Sequence, residues 1–363
     1  MRKTDMINIG IIGCGGIANW KHMPSLAKLE DCKMVAFCDI VLEKAEKAAA
    51  KFGDENAKVY EDYRELLKDP AIDVVHVCTP NRSHSFITVD ALEAGKHVMC
   101  EKPMAINSAE AKKMLDAAKR TGKLLTIGYQ NRFRPDSLYL KDEADSGTFG
   151  DIYYAKATAI RRRAVPTWGV FLDEYEQGGG PLIDIGTHAL DLTLWVMNNY
   201  KPKYCVGTVY HKLSDQTEQG NAYPSWDPEK FTVEDSAFGF VVMENGATVM
   251  IESAWALNTL DVREAVTSVC GTKAGADMAD GLRINGIRKG RQFVMKPDLK
   301  AGGADYHGIK KGELQADTEA RLWIDAVKNG TTPITTPEQA YCITRILEGI
   351  YESSKTGKPY YFD

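Results

Sequence analysis

An imidazole placed four residues after a carboxylate is the feature of this chain best suited to chemistry. The pair is Asp184 and His188, in Gly178-Gly179-Gly180-Pro181-Leu182-Ile183-Asp184-Ile185-Gly186-Thr187-His188-Ala189-Leu190-Asp191. On a helix, residues four apart share a face. Histidine exchanges protons near neutral pH, and a neighbouring carboxylate can orient its ring, which is the equipment of a general base. An ordinary exposed Asp–His pair, worth about 0.3 kcal/mol, has the same spacing. Three glycines allow the backbone to pass close to something, and Pro181 suits a first helical turn, where its missing N–H costs nothing. Lys102, in Glu101-Lys102-Pro103, is a second candidate: an ammonium at the end of an apolar strand, held by the following proline.

These groups need elements to position them, and the first 130 residues supply a repeating unit. Ile7–Ile12, Met34–Cys38, Val74–Cys78, Val98–Cys100 and Leu124–Ile127 are short apolar runs, as expected of strands buried on both faces of a parallel sheet. Between them, helices are predicted at Leu42–Phe52 (stopped by Gly53), Phe86–Ala94 (stopped by Gly95) and Ser108–Thr121 (stopped by Gly122). Asn107 and Glu110 have the spacing of a capping pair. The alternation predicts an α/β N-terminal Rossmann domain, a doubly wound parallel sheet.

Gly13-Cys14-Gly15-Gly16-Ile17-Ala18 follows the first strand and fits G-x-G-x-x-G/A, with Ala18 as the small third residue. Gly13 permits the tight turn and Gly15 the approach of a pyrophosphate, with Gly16 and Ile17 beside them. Asp39 ends the second strand, 21 residues after Ala18, where a carboxylate accepts hydrogen bonds from ribose hydroxyls. It would repel a 2′-phosphate, and Ile40-Val41 provide no arginine to receive one. NAD is therefore expected rather than NADP. Two further strand ends should border the cofactor, one carrying Thr79, Pro80, Asn81, Arg82, Ser83 and His84, the other Glu101 and Lys102.

After about residue 130 the pattern changes to longer strands with alternating faces: Ile152–Ile160, Tyr204–Tyr210, Ala237–Met243, Thr248–Trp255, Val266–Cys270, Leu282–Ile287 and Arg291–Met295. Glu244-Asn245-Gly246-Ala247 signals a tight hairpin. An α+β C-terminal domain with a mainly antiparallel open sheet is predicted, giving boundaries of 1–129 and 130–363. Residues 211–233 form a long polar excursion of the kind that covers a site or makes contacts. The last helix, Glu338–Ser354, has an apolar stripe at Ala340, Ile343, Leu347 and Ile350. Trp195, inside an apolar helical stripe, reads as core. Trp168, in a polar proline-bearing loop near Arg161 and Arg163, is the best candidate for a substrate contact.

Composition narrows the choice of partner. The chain has 363 residues, 44% hydrophobic and 26% charged, with a formal net charge of −5. That balance argues against a nucleic-acid or membrane partner. Met1-Arg2-Lys3-Thr4-Asp5 leads straight into a strand without a signal-peptide core, and no apolar run approaches the ~20 residues of a membrane span. Eight cysteines without C-x-x-C spacing read as reduced and intracellular, so cytoplasm is the default expectation. No cluster of His, Cys and carboxylates suggests a metal.

The motifs together resemble the Gfo/Idh/MocA oxidoreductases, the family of glucose–fructose oxidoreductase and inositol dehydrogenase. The likeness runs through Gly13–Ala18, Thr79-Pro80-Asn81 with His84, Glu101-Lys102-Pro103, Gln130-Asn131-Arg132-Phe133, Asp184-x-Gly186-x-His188-x-x-Asp191 and Asp235. It implies Lys102, Asp184 and His188 as the catalytic set, with Asn131 beside the substrate. It also implies a homodimer or homotetramer formed through the C-terminal sheet. The expected activity is that of an NAD(P)-dependent dehydrogenase acting on CH–OH groups: reversible oxidation of a secondary hydroxyl on a sugar, glycoside or cyclic, inositol-like polyol. Two alternatives share the motifs, a glycosidase that uses NAD for transient oxidation and a non-catalytic NAD-binding regulator. Which of His188 and Lys102 takes the proton is left open by the pattern.

Overall fold

The apolar run Ile7–Ile12 forms strand β1, and all but one of its residues are buried. It lies in a six-stranded sheet with β2 (Cys32–Cys38), β3 (Gly53–Tyr60), β4 (Val74–Val77), β5 (His97–Cys100) and β6 (Leu125–Ile127). The order is β3-β2-β1-β4-β5-β6 and every pairing is parallel. This is the doubly wound Rossmann arrangement, whose strand order reverses between β1 and β4. The protein is described as a computed structural model over residues 6–299 and 312–363, so the Met1–Asp5 lead-in lies outside the described residues. Two compact units emerge: residues 6–133 with 312–341, and residues 134–299 with 342–363.

In the first unit, helices Leu42–Phe52 and Ser108–Thr121 occupy the predicted spans. Asn107 caps the latter by accepting the Glu110 N–H at 2.9 Å, a bond worth about 1 kcal/mol. Glu110 does not complete the capping pair, because its carboxylate turns to Ser85 and Lys113 instead. The helix predicted at Phe86–Ala94 begins earlier, at Asn81, directly after Pro80. Strand β3 went unpredicted because it is a polar edge strand, with little of its surface buried. Helix Gln315–Asn329 adds Trp323, Ile324 and Val327 to the core of Ile9, Ile11, Phe37 and Met99.

The second unit is built on a nine-stranded sheet. Its strands are β7 (Ile152–Ile160), β8 (Pro202–Tyr210), β9 (Ser236–Met243), β10 (Thr248–Ala254), β11 (Arg263–Gly271), β12 (Ala274–Asp277), β13 (Arg283–Arg288), β14 (Arg291–Met295) and β15 (Tyr360–Tyr361). They are ordered β14-β13-β12-β11-β7-β10-β9-β8-β15, and only β7 and β10 pair in parallel. The β9–β10 hairpin forms as predicted, but Gly246 alone takes positive φ (+87°). A type I′ turn needs two such residues, so this is a wider turn. The helix Thr187–Met197 packs on β7 and β11. Among the described residues no helix is long and apolar enough to cross a membrane.

Candidate active site

In the first unit the glycine turn is pressed against the end of β4. Gly13 has φ +91°, and a Cβ there would lie 2.6 Å from the Cys78 carbonyl oxygen, so only glycine fits. A Cβ on Gly15 would meet nothing within 4 Å, which leaves that part of the turn facing open space. Gly16 and Ile17 are exposed beside it. Asp39 reaches back to the turn: its Oδ2 accepts the Cys14 N–H and its Oδ1 the Val41 N–H, both at 2.9 Å. A carboxylate has about four lone-pair sites, so acceptors remain for two ribose hydroxyls. The turn and Asp39 thus fit an NAD adenosine and pyrophosphate. Burial pushes the Cys14 thiol up to about 12, which makes it an unreactive filler.

The next two strand ends are tied together through His84. Its ring is buried, with Nδ1 2.8 Å from the Pro103 carbonyl and Nε2 2.9 Å from the Thr79 carbonyl. Ser83 Oγ donates to the Pro80 carbonyl and Thr79 Oγ1. Asn81, half-buried, opens the helix there.

Lys102 is half-buried, and its own N–H donates to Glu101 Oε2 at 3.1 Å. Glu101 is buried and accepts from Lys21 Nζ and His22 Nε2, each at 2.7 Å. Lys21 also pairs with buried Glu319 at 2.8 Å, and His22 Nδ1 lies 2.9 Å from His76 Nδ1. Burial alone would raise the Glu101 carboxyl, but Lys21 and His22 more than offset it and hold the group well below the usual range. Burial, together with the Glu101 charge, moves Glu319 upward despite Lys21. His76 is lowered by burial and by the positive neighbours, so it stays neutral.

In the second unit the predicted motif helix opens with a π-helical turn, Leu182–Gly186, before the α-helix from Thr187. Helical spacing of 3.6 therefore does not hold between Asp184 and His188, and π-turns of this kind recur at functional sites. Asp184 is 9% exposed, and its Oδ2 accepts the Trp255 indole N–H at 2.9 Å. His188 is half-buried, with Nδ1 out of solvent. Ser253 Oγ donates to the Pro181 carbonyl at 2.7 Å, and Asp191 is fully buried.

The residues expected near substrate have varied settings. Arg161 is held by Glu264 through Nε at 2.7 Å and through Nη2, and it donates to the Ala164 carbonyl. Burial lowers its pKa, but Glu264 and Asp184 raise it further, so it stays charged in the field of Asp184. Arg163 donates to Asn258 Oδ1 at 2.7 Å. Trp168 is exposed and stands edge-on to Tyr223 and Phe171, at 4.7 and 5.8 Å between centroids. Phe171 in turn meets Trp255 at 6.4 Å, so an aromatic row runs from Trp168 to the indole that holds Asp184. Asn131, in the first unit, is buried, as is Trp195 in the second. Residues 211–233 contain only one short turn of helix and are bonded to the 161–169 segment through Asn221 and Ala222.

Sequence reasoning missed Lys21, His22, His76 and Glu319 around Glu101. It also missed Trp255 and the pair Glu234 and Tyr351 around the motif helix. Only the three adjacent glycines hinted at the last of these, since something had to occupy the space they leave.

A six-stranded parallel Rossmann sheet joined to a mainly antiparallel sheet, with an acidic residue at the second strand end, defines a nucleotide-dependent oxidoreductase of two-domain type. Residues 7–129 match the oxidoreductase family with an NAD-binding Rossmann fold, and residues 137–277 match the GFO/IDH/MocA C-terminal domain. The chain belongs to the GFO/IDH/MocA family of oxidoreductases and carries its NAD-binding domain. It is 35% identical to D-glucoside 3-dehydrogenase of Escherichia coli over 97% of this chain and 96% of the relative. It is 31% identical to myo-inositol 2-dehydrogenase of Thermotoga maritima, over 53% of this chain and 55% of that one. In fold it is similar to levoglucosan dehydrogenase in complex with NADH, at 22% identity and TM-score 0.82, covering 99% of this chain and 100% of the other.

Proposed function

We propose that this chain reversibly oxidises a secondary hydroxyl of a sugar, glycoside or cyclic polyol to a ketone with NAD, and that D-glucosides are its substrate class. The choice of glucoside is supported by the full-length similarity to D-glucoside 3-dehydrogenase. The observation that carries the reading is Asp184: a buried carboxylate aimed by Trp255, in a π-turn that leads into His188.

Bound NAD supplies the hydride acceptor. The chain supplies everything else. Gly13, Gly15, Gly16 and Ile17 hold the pyrophosphate, and Asp39 the adenosine ribose. Thr79, Pro80, Asn81, His84 and Glu101 border the cofactor, with His84 and Glu101 bracing the backbone of their strand ends. His188 takes the proton of the reacting hydroxyl, since hydride leaves carbon only as that proton is lost. Asp184 binds the same hydroxyl or fixes the imidazole. Lys102 stabilises the developing alkoxide. Proton transfer of this kind is worth about 10²–10⁴-fold. Asn131, Arg161, Arg163 and Trp168 contact the sugar. Residues 1–129 bind NAD, whereas 130–363 bind substrate and associate with a second copy as a homodimer or homotetramer. Eight free cysteines, seven of them buried, support a reducing, cytoplasmic setting.

The test is NADH formation, followed by its near-ultraviolet absorbance, across D-glucosides, free aldoses and inositols. A D-glucoside should give the highest kcat/KM. Silence across the whole panel would overturn the proposal, and glycoside cleavage without net NADH would replace it with transient oxidation.

A further inference from the structure

The triple glycine before the motif helix is shaped around two side chains from distant parts of the second unit. A Cβ on Gly180 would lie 2.2 Å from the Glu234 carbonyl oxygen and 3.1 Å from its carboxylate carbon. A Cβ on Gly179 would lie 2.2 Å from the Tyr351 hydroxyl. Neither position tolerates any other residue without moving these groups. The space is used for bonds: Glu234 Oε2 accepts the Gly180 N–H at 2.7 Å, and Oε1 accepts the Leu182 N–H at 3.1 Å. Tyr351 donates its hydroxyl to the same Oε1 at 2.8 Å. Glu234 is 3% exposed, so three donors compensate a carboxylate that water barely reaches.

Helix termini leave their first N–H groups without intrahelical partners, and the carboxylate fills that role here. The bonded amides flank Pro181, which has no N–H to offer. The π-turn carrying Asp184 begins at Leu182, one of the two anchored residues.

We propose that Glu234 is a positioning residue of this enzyme: by holding Gly180 and Leu182, with Tyr351 fixing the carboxylate, it sets the helix start from which Asp184 and His188 project. This rests on the catalytic roles proposed for those two residues. Burial pushes the Glu234 carboxyl up to about 7, against the pull of the two backbone N–H groups and Tyr351. The groups facing it are those N–H dipoles and the Tyr351 hydroxyl, and Glu174 acts in turn on Tyr351.

The test combines hydrogen exchange with kinetics in Glu234→Ala, Glu234→Gln and Tyr351→Phe. Amide exchange over residues 180–186 should accelerate ~10-fold or more in Glu234→Ala, and less in Glu234→Gln, which retains one acceptor oxygen. The kcat should fall in the same order, while KM for NAD stays unchanged. If Glu234→Ala does not fold, Tyr351→Phe carries the same measurements. Unaltered exchange, or faster exchange with unaltered kcat, overturns the positioning role. Wild-type protein that oxidises nothing in the panel overturns the reading of the reaction, and the exchange arm still decides whether Glu234 is the anchor.

Discussion

The indole of Trp255 donates to the carboxylate of Asp184 across 2.9 Å, although the two lie 71 positions apart in the chain. Trp255 follows directly after β10 and is fully buried. Its backbone is held on both sides, by the Asp235 carbonyl and by the Ala164 N–H. One oxygen of Asp184 is thereby fixed. That bond is in place before any substrate arrives, and preorganisation of this kind is where enzymes gain most electrostatically.

Trp255→Phe keeps an aromatic body but deletes the donor. Hydrogen bonds to charged groups contribute about 1.5–3 kcal/mol, so kcat should fall roughly 10- to 100-fold with KM for NAD unchanged. Steady-state kinetics with the best glucoside decides it, and wild-type kcat would show that Asp184 needs no such support.

Lys102→Ala and His188→Ala should each lower kcat by about 10²–10⁴-fold. NAD affinity, followed by titration calorimetry, should be little changed in His188→Ala. Activity within a few-fold of wild type in either variant removes that residue from the mechanism.

Asp39→Asn keeps the shape but removes the charge between the glycine turn and Val41. NAD should bind about 10- to 100-fold more weakly, and the preference for NAD over NADP should narrow. Dissociation constants for both cofactors provide the comparison; equal losses for both would place the discrimination elsewhere.

Lys21→Met strands two buried carboxylates, Glu101 and Glu319, without their shared cation. Breaking a buried ion pair from one side costs about 3–5 kcal/mol. Urea unfolding should show a loss of this size, and adding Glu319→Gln should recover part of it. No recovery in the double variant would mean that Glu319 is already neutral beside Lys21.

Glu234 links stability to pH. Its carboxyl titrates at about 7 when folded, against the ordinary 4.5 when unfolded. Between those values the folded chain holds a proton that the unfolded chain has released, so this group makes stability fall as pH rises. The full cost above pH 7 is about 3 kcal/mol. Unfolding free energies at pH 5 and pH 8 should therefore differ less in Glu234→Gln than in wild type, and equal differences would refute the link.

Much of the architecture could be read residue by residue. The runs Ile7–Ile12 and Ile152–Ile160 became strands over those bounds, and Leu42–Phe52 and Ser108–Thr121 became helices over theirs. Glycine stops, an asparagine cap and unbroken apolar runs are local signals. Where local chemistry misled, a neighbour had intervened. β3 is polar and forms because the edge of β2 offers it partners. The helix from Asn81 starts in residues assigned from sequence to a strand end, since Pro80 ends the extended segment there.

The sequence by itself determined which groups are available: Asp184 and His188 on one helical segment, Lys102 at a strand end, and Asp39 opposite a glycine turn. Their chemical types and short spacings follow from covalent order alone. Tertiary structure decided what those groups rest against. Trp255 on Asp184, Glu234 and Tyr351 beneath the glycines, and Lys21 with His22 on Glu101 all join residues far apart in the chain. Such contacts are set by which surfaces exclude water together, and a buried charge survives only where the fold brings it partners. That choice is made by packing and is invisible to any local pattern.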